Sequence, residues 1–128
     1  VSFTELLHRA DVISLHVSQK PETIGLINAA AIQQMKDGVI LLNTARGKLI
    51  NEADVAAALN RGKIGAAGLD VVSREPIRAD NPLLAAKNCF LTPHIAWAPQ
   101  ETRQRLLDIT VSNLTAFLAG HRQNVVNN

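Results

Sequence analysis

The chain has 128 residues, with 13 Lys and Arg against 11 Asp and Glu, so its formal charge is only +2. That length suits one domain, and a hydrophobic content of 47% supplies a core. With basic residues scattered, no apolar run long enough to span a bilayer and no signal-peptide pattern, these features argue against a nucleic-acid partner and a membrane. Cys89 is the single cysteine, so no internal disulfide is possible, and a reducing cytoplasm fits. One cysteine and scattered histidines offer no metal-ligand spacing. No G-x-S-x-G elbow suggests a serine nucleophile.

Ser2 to Ala10 reads as a short helix with Leu6 and Leu7 on its apolar side, capped by Ser2 or Thr4. Asp11 to Val17 is a strand, and Ser18 to Gly25, which contains Pro21, is a loop. Asn28 caps a helix over 29–36, with Ile32 and Met35 on one face and Asp37-Gly38 closing it. Val39 to Asn43 is the second strand, after which Gly47 frees the backbone to turn. Asn51 opens the next helix, with Asp54 as a weak capping-box partner and Gly62 as the stop. Ile64 to Asp70 is the third strand, whose glycines let helices approach.

Val71 to Asn81 is a polar connection containing Arg74-Glu75-Pro76. Asn81-Pro82 opens a short helical turn through Ala86. Asn88 to Thr92 is the fourth strand, in which Cys89 packs as a small apolar residue. Pro93 to Ala98 is a turn. Pro99 then starts the longest helix, to about Ala119, with Leu106, Ile109, Leu114, Phe117 and Leu118 as its apolar side and Gly120 as its end. The tail 123–128 is polar and expected to be loose. Strands alternating with helices predict an α/β fold: a parallel sheet with right-handed crossovers, here half of a doubly wound domain with an unpaired edge.

Three strand ends carry polar residues: Asn43 to Arg46, Asp70 to Glu75, and Thr92 to His94. In a parallel sheet these ends share one rim, where ligands bind, and a guanidinium, a carboxylate and an imidazole are expected to share one small pocket there. A guanidinium there can hold and polarise a 2-oxo acid. An imidazole can pass a proton, and a neighbouring carboxylate can orient it and favour its charged form. Each residue alone also has a plain explanation: Arg46 on a surface turn, His94 a satisfied turn histidine, Glu75 a solvated loop acid, Asp70 a turn cap.

The stretches Leu42-Asn43-Thr44-Ala45-Arg46-Gly47, Gly68-Leu69-Asp70-Val71 with Glu75-Pro76, and Thr92-Pro93-His94-Ile95-Ala96 resemble the signatures of the D-isomer-specific 2-hydroxyacid dehydrogenases. Residues 10–16 and 23–28 fit the same pattern. The turn 94–98, the helix start 101–106 and the tail 124–127 are most similar to the glycerate dehydrogenase (hydroxypyruvate reductase) branch. The resemblance implies a Rossmann-like domain and hydride transfer between NAD or NADP and a small 2-oxo or D-2-hydroxy acid, with hydroxypyruvate or glyoxylate as the oxo acid, in a homodimer. It implies that Arg46 binds the substrate carboxylate and carbonyl, that His94 is the acid/base and that Glu75 pairs with it. Asp70 would meet the nicotinamide carboxamide. Thr44 and Ala45 would line the nicotinamide side, with Ala96 and Trp97 near it, although Trp97 could equally face a partner. Thr23 and the 16–18 strand end would lie by the adenosine. Ser18 departs from the proline often found at its position.

The pyrophosphate-binding G-x-G-x-x-G run does not occur. The chain therefore reads as the second half of a dinucleotide-binding domain over 1–128, including the helix at 99–119, without the first half or a substrate domain, and inactive by itself. Two rival readings stand beside this one: a dinucleotide-sensing, dehydrogenase-like module of the corepressor kind, and an inactive truncated fragment.

Overall fold

Four short runs of apolar and β-branched residues become strands β1 (Val12–Leu15), β2 (Val39–Asn43), β3 (Ile64–Leu69) and β4 (Cys89–Leu91). In the computed structural model, which describes residues 1–127, they form one sheet in the order β1-β2-β3-β4, with every pair parallel. The helices are α1 (Phe3–Arg9), α2 (Ala29–Gln34), α3 (Glu52–Asn60) and α4 (Gln100–Leu118). The expected α/β architecture is present. Two compact units can be distinguished, Val1–His94 and the stretch from Ile95 onward.

In the first unit the period-2 pattern decides which face is buried. Ile13, Leu15, Val39 and Leu41 point into the core, while Val12, Ile40 and Leu42 stay exposed. Right-handed crossovers set α2 and α3 on the same face. Their apolar residues Ile32, Val55 and Leu59 join Leu7 of α1 and the inward strand residues in one cluster. Burying a side chain such as Ile32, which has no exposed surface, contributes about 2 kcal/mol.

The helix starts follow their caps. Ser2 Oγ accepts from Glu5 N at 3.1 Å, Asn28 Oδ1 from Ala31 N at 3.1 Å, and Asn51 Oδ1 from Asp54 N at 3.2 Å. Asn81 Oδ1 caps the 3-10 turn Pro82–Ala85 through Leu83 N at 3.0 Å. The capping box expected within α3 does not form. The Asp54 carboxylate instead accepts from Ala29 N at 2.8 Å, the first turn of the neighbouring α2, where an anion meets the positive end of that helix. Asn51 N is already held by Ile27 O at 2.8 Å.

Other local expectations are corrected. Helix α2 ends at Gln34, not beside Gly38. Met35 turns extended and is buried, leaving Asp37-Gly38 to make the turn into β2. The close approach at β3 is made by backbone and strand rather than by helices: a Cβ on Gly65 would stand 2.6 Å from Gly38 O. A 3-10 turn at Gly47–Leu49, which the sequence reading did not contain, precedes α3. Cys89 is half-buried against the core, and burial pushes its thiol up from the ordinary value.

In the second unit α4 starts after Pro99 without a side-chain cap, and none of its residues is buried. The tail is tied back to it. Gln123 Nε2 donates to Ser112 Oγ at 2.8 Å, and Asn124 Nδ2 to Asn113 Oδ1 at 2.9 Å. Asn128, the last residue of the tail expected to be loose, lies outside the described residues.

Candidate active site

The β2 tip is shaped by one side chain. Asn43 ends the strand fully buried. Its Oδ1 accepts from Ala45 N at 3.0 Å and its Nδ2 donates to Arg46 O at 2.9 Å. Both ends of the amide are thus spent on the turn that presents Thr44, Ala45 and Arg46. Arg46 itself is exposed, and its Nη1 donates to Ala45 O at 2.7 Å. The chain does turn at Gly47, where the 3-10 turn opens, but it is close contact that requires a glycine there. A Cβ on Gly47 would fall 2.0 Å from Val72 C and O and 2.5 Å from Ser73 N.

The β3 and β4 tips are tied to each other. Asp70 is buried and accepts from Thr92 Oγ1 at 2.5 Å. Its amide N–H donates to Asn43 O at 2.9 Å, and its carbonyl accepts from His94 N at 2.9 Å. His94 has φ +57°, a left-handed conformation uncommon for a side chain with Cβ, and the bond to Asp70 O holds it there. That backbone directs the imidazole toward the loop after β3. There His94 Nδ1 and Glu75 Oε2 lie 2.7 Å apart, and Glu75 Oε1 accepts from Val72 N at 3.3 Å. An ionised carboxylate only accepts, so in this pair the Nδ1 carries the proton. The hydrogen bond from His94 is the main cause holding the Glu75 carboxyl below its ordinary value of 4.5, against a smaller opposing effect of burial.

A cavity of about 620 Å³ adjoins this pair. Asp70, Glu75 and His94 line its polar side, with Val72, Ile77 and Leu91 on the apolar side. Arg46 and Ala45 line a different cavity, of about 480 Å³, with His16, Val17, Ser18 and Gln19 of the β1 end. The three strand ends do share one rim, since the parallel register pairs Asn43 with Leu69 and Leu69 with Leu91. The single shared pocket expected from the sequence is therefore corrected: Glu75, His94 and Asp70 surround one cavity, while Arg46, bonded to Ala45 O, lines the next. Thr23 closes the loop after β1: its hydroxyl accepts from Lys20 N and donates to Ser18 O, both at 2.8 Å. Ala96 and Trp97 are exposed in the second unit, on the turn before α4.

Cavities of this size at the carboxyl ends of parallel strands suit the rings and sugars of a dinucleotide. The polar groups that line them suit its amide and hydroxyl groups. The pyrophosphate is different, because no glycine-rich run is present to cradle it. Asn43 and Thr92 are strand-end residues whose supporting roles the sequence reading missed. The available signal was a polar residue closing an apolar strand.

Residues 1–96 match the family described as D-isomer specific 2-hydroxyacid dehydrogenase, NAD binding domain. The chain belongs to that family. Within it, the chain is 61% identical over 127 residues to a hydroxypyruvate reductase of Blautia hydrogenotrophica, a match covering 99% of this chain and 39% of the relative. It is 47% identical over 128 residues to a glycerate dehydrogenase of Methylorubrum extorquens, covering 98% and 41%. Among solved structures, a D-lactate dehydrogenase with NAD+ from Lactobacillus jensenii superposes with a TM-score of 0.85 at 31% identity, covering all of this chain and 42% of that one. The chain therefore spans about two fifths of the length of the curated family members it matches. Among the described residues, no helix is long and apolar enough to cross a membrane.

Proposed function

We propose that this chain is the C-terminal part of the dinucleotide-binding domain of an NAD(P)-dependent D-2-hydroxyacid dehydrogenase, with hydroxypyruvate and D-glycerate, or glyoxylate and glycolate, as its substrate pair. The observation that carries the proposal is the 2.7 Å contact between His94 Nδ1 and Glu75 Oε2 on the ligand-binding rim of a parallel sheet. The names of the two curated relatives support the choice of substrates.

His94 delivers a proton from Nε2 to the carbonyl oxygen of the 2-oxo acid, and takes it back from the hydroxyl in the reverse direction. Glu75 keeps the ring oriented and balances the imidazolium charge. Arg46 binds the substrate carboxylate. To do so its guanidinium gives up the bond to Ala45 O, a neutral acceptor worth about 1 kcal/mol, for a charged and bidentate partner. Asp70 would hold the carboxamide edge of a nicotinamide, with Thr44, Ala45, Ala96 and Trp97 on the nicotinamide side and Thr23 with the 16–18 stretch on the adenosine side. The chemistry such a cofactor would supply there is hydride transfer. The same reading makes the enzyme a cytoplasmic homodimer. It assigns the choice between NAD and NADP to residues outside the 128.

The test is a chimera in which this chain replaces the matching stretch of the Blautia hydroxypyruvate reductase. The chimera is expected to reduce hydroxypyruvate with NADH or NADPH. His94→Gln should lower kcat by about 10² to 10⁴, and Arg46→Lys should raise KM by about tenfold because the planar fork is lost. Unchanged turnover in the His94 variant would remove its acid–base role. Oxidation of D-glycerate by the isolated 128-residue chain with NAD would overturn its assignment as part of a domain.

A further inference from the structure

The segment that carries Glu75 is poorly anchored by its own residues, since 73–80 are all exposed. Its two ends nevertheless meet at one side chain on another element. Glu52, the first residue of α3, accepts from Ser73 N at 2.6 Å through Oε1. Through Oε2 it accepts from Ser73 Oγ at 2.8 Å and from Asn81 Nδ2 at 3.0 Å. Asn81 in turn caps the turn that buries Leu83. Two carboxylate oxygens therefore receive three donors from the opposite ends of the loop. The Val72–Ser73 peptide whose N–H reaches Glu52 is also the one that Gly47 packs against. Glu75 follows Ser73 by two positions, and its Oε1 bonds back to Val72 N in the same peptide neighbourhood.

We infer that Glu52 is a positioning residue, which fixes the loop so that Glu75 reaches His94 and which joins the arginine turn and the glutamate loop into one piece. The inference rests on the Glu75–His94 pair acting as proposed above. It explains why a carboxylate stands at this position. Three donors require an acceptor-only group, and an amide would turn a donor of its own toward them. Charge also strengthens each bond relative to a neutral acceptor. Hydrogen bonds within the loop, such as Arg78 to Asp80, do not restrain its ends in this way.

The experiment is NMR on the 128-residue chain with labelled carboxyl carbons and imidazole nitrogens. It reads two signals: the titration of the Glu75 carboxyl, which faces His94 and Asp70, and the exchange of the His94 Nδ1 proton with solvent. Glu75→Gln tests the underlying pair. An Nδ1 proton that exchanges no faster in that variant would refute the pair itself. Glu52→Gln keeps shape and should still fold. It is expected to speed Nδ1 exchange by about tenfold and to return the Glu75 titration toward its ordinary value, and Glu52→Ala should do so further. If Glu75→Gln changes the signal but Glu52→Gln leaves both readouts at their wild-type values, while Tm alone falls, Glu52 is merely structural and the inference fails.

Discussion

The turn after β2 and the loop after β3 both deliver a charged side chain to the same rim, yet they are built on opposite principles. After β2 the chain turns within a few residues, and the buried amide of Asn43 satisfies the backbone of that turn from inside. After β3 the chain runs through an exposed stretch and is held from outside, at Gly47 and at Glu52. A short turn can be scaffolded by its own first residue. A long loop has conformational entropy that its own contacts do not offset, so it borrows rigidity from a neighbouring element. The contrast predicts that the two regions fail differently.

The largest effect should come from the place where they touch. Gly47→Ala puts a Cβ within 2.0 Å of the Val72 carbonyl, and backbone cannot yield as a flexible side chain would. Thermal denaturation should show a loss of about 3 kcal/mol, roughly 10 °C in Tm. A variant as stable as the parent would mean that the loop is free to move away. Next comes Asn43→Ala, which takes from the part-buried Ala45 N its acceptor and from Arg46 O one of two donors, the other being Leu49 N at 3.3 Å. Leaving the Ala45 amide without that partner costs about 1 to 2 kcal/mol, read from the urea midpoint at constant slope.

A smaller effect should follow pH. The folded-state carboxyl of Glu75 titrates below its ordinary value. Its contribution to stability is therefore complete above that ordinary value and is lost as pH falls through the depressed one. Tm measured downward from pH 6 should drop less steeply in Glu75→Gln than in the parent. The carboxyls of Asp37 beside Lys63 and Asp80 beside Arg78 are lowered as well, but both face water, so solvent screening keeps their share of the slope small. The smallest effect belongs to Arg78→Ala in the exposed loop, where both partners of the ion pair face water. Its melting midpoint should match the parent within error, whereas a clear drop would show that the loop is held from within after all.

Most of the frame was legible before the coordinates. Helix starts at Ser2, Asn28, Asn51 and Asn81 are local events, decided by a side-chain oxygen and an amide three residues away or fewer. Strand runs such as 39–43 announce themselves by composition. Apart from local element ends such as that of α2, the misreadings involve partners distant in sequence. At Gly47 the turn is present, but nothing nearby in sequence reveals that Val72 passes over it and excludes a Cβ. Asp54 looked like a partner for its own helix because the demand of Ala29 N is 25 residues away. At the rim, the motifs pointed to Arg46, Glu75 and His94, but not to the guanidinium of Arg46 resting on Ala45 O in the next cavity. Side-chain rotamers at an exposed turn answer to their surroundings, and a sequence pattern does not carry that information.

Because all four strands run in the same direction, the sheet has one end of the kind at which ligands bind and another at which the helices feed into the strands. The turn at Arg61-Gly62 belongs to the second kind, exposed and with open space around Gly62. Insertions there can lengthen the path into β3 without displacing Asp70, Glu75 or His94. The molecule thus separates the residues that must stay in register from those at which a lineage can add or drop length.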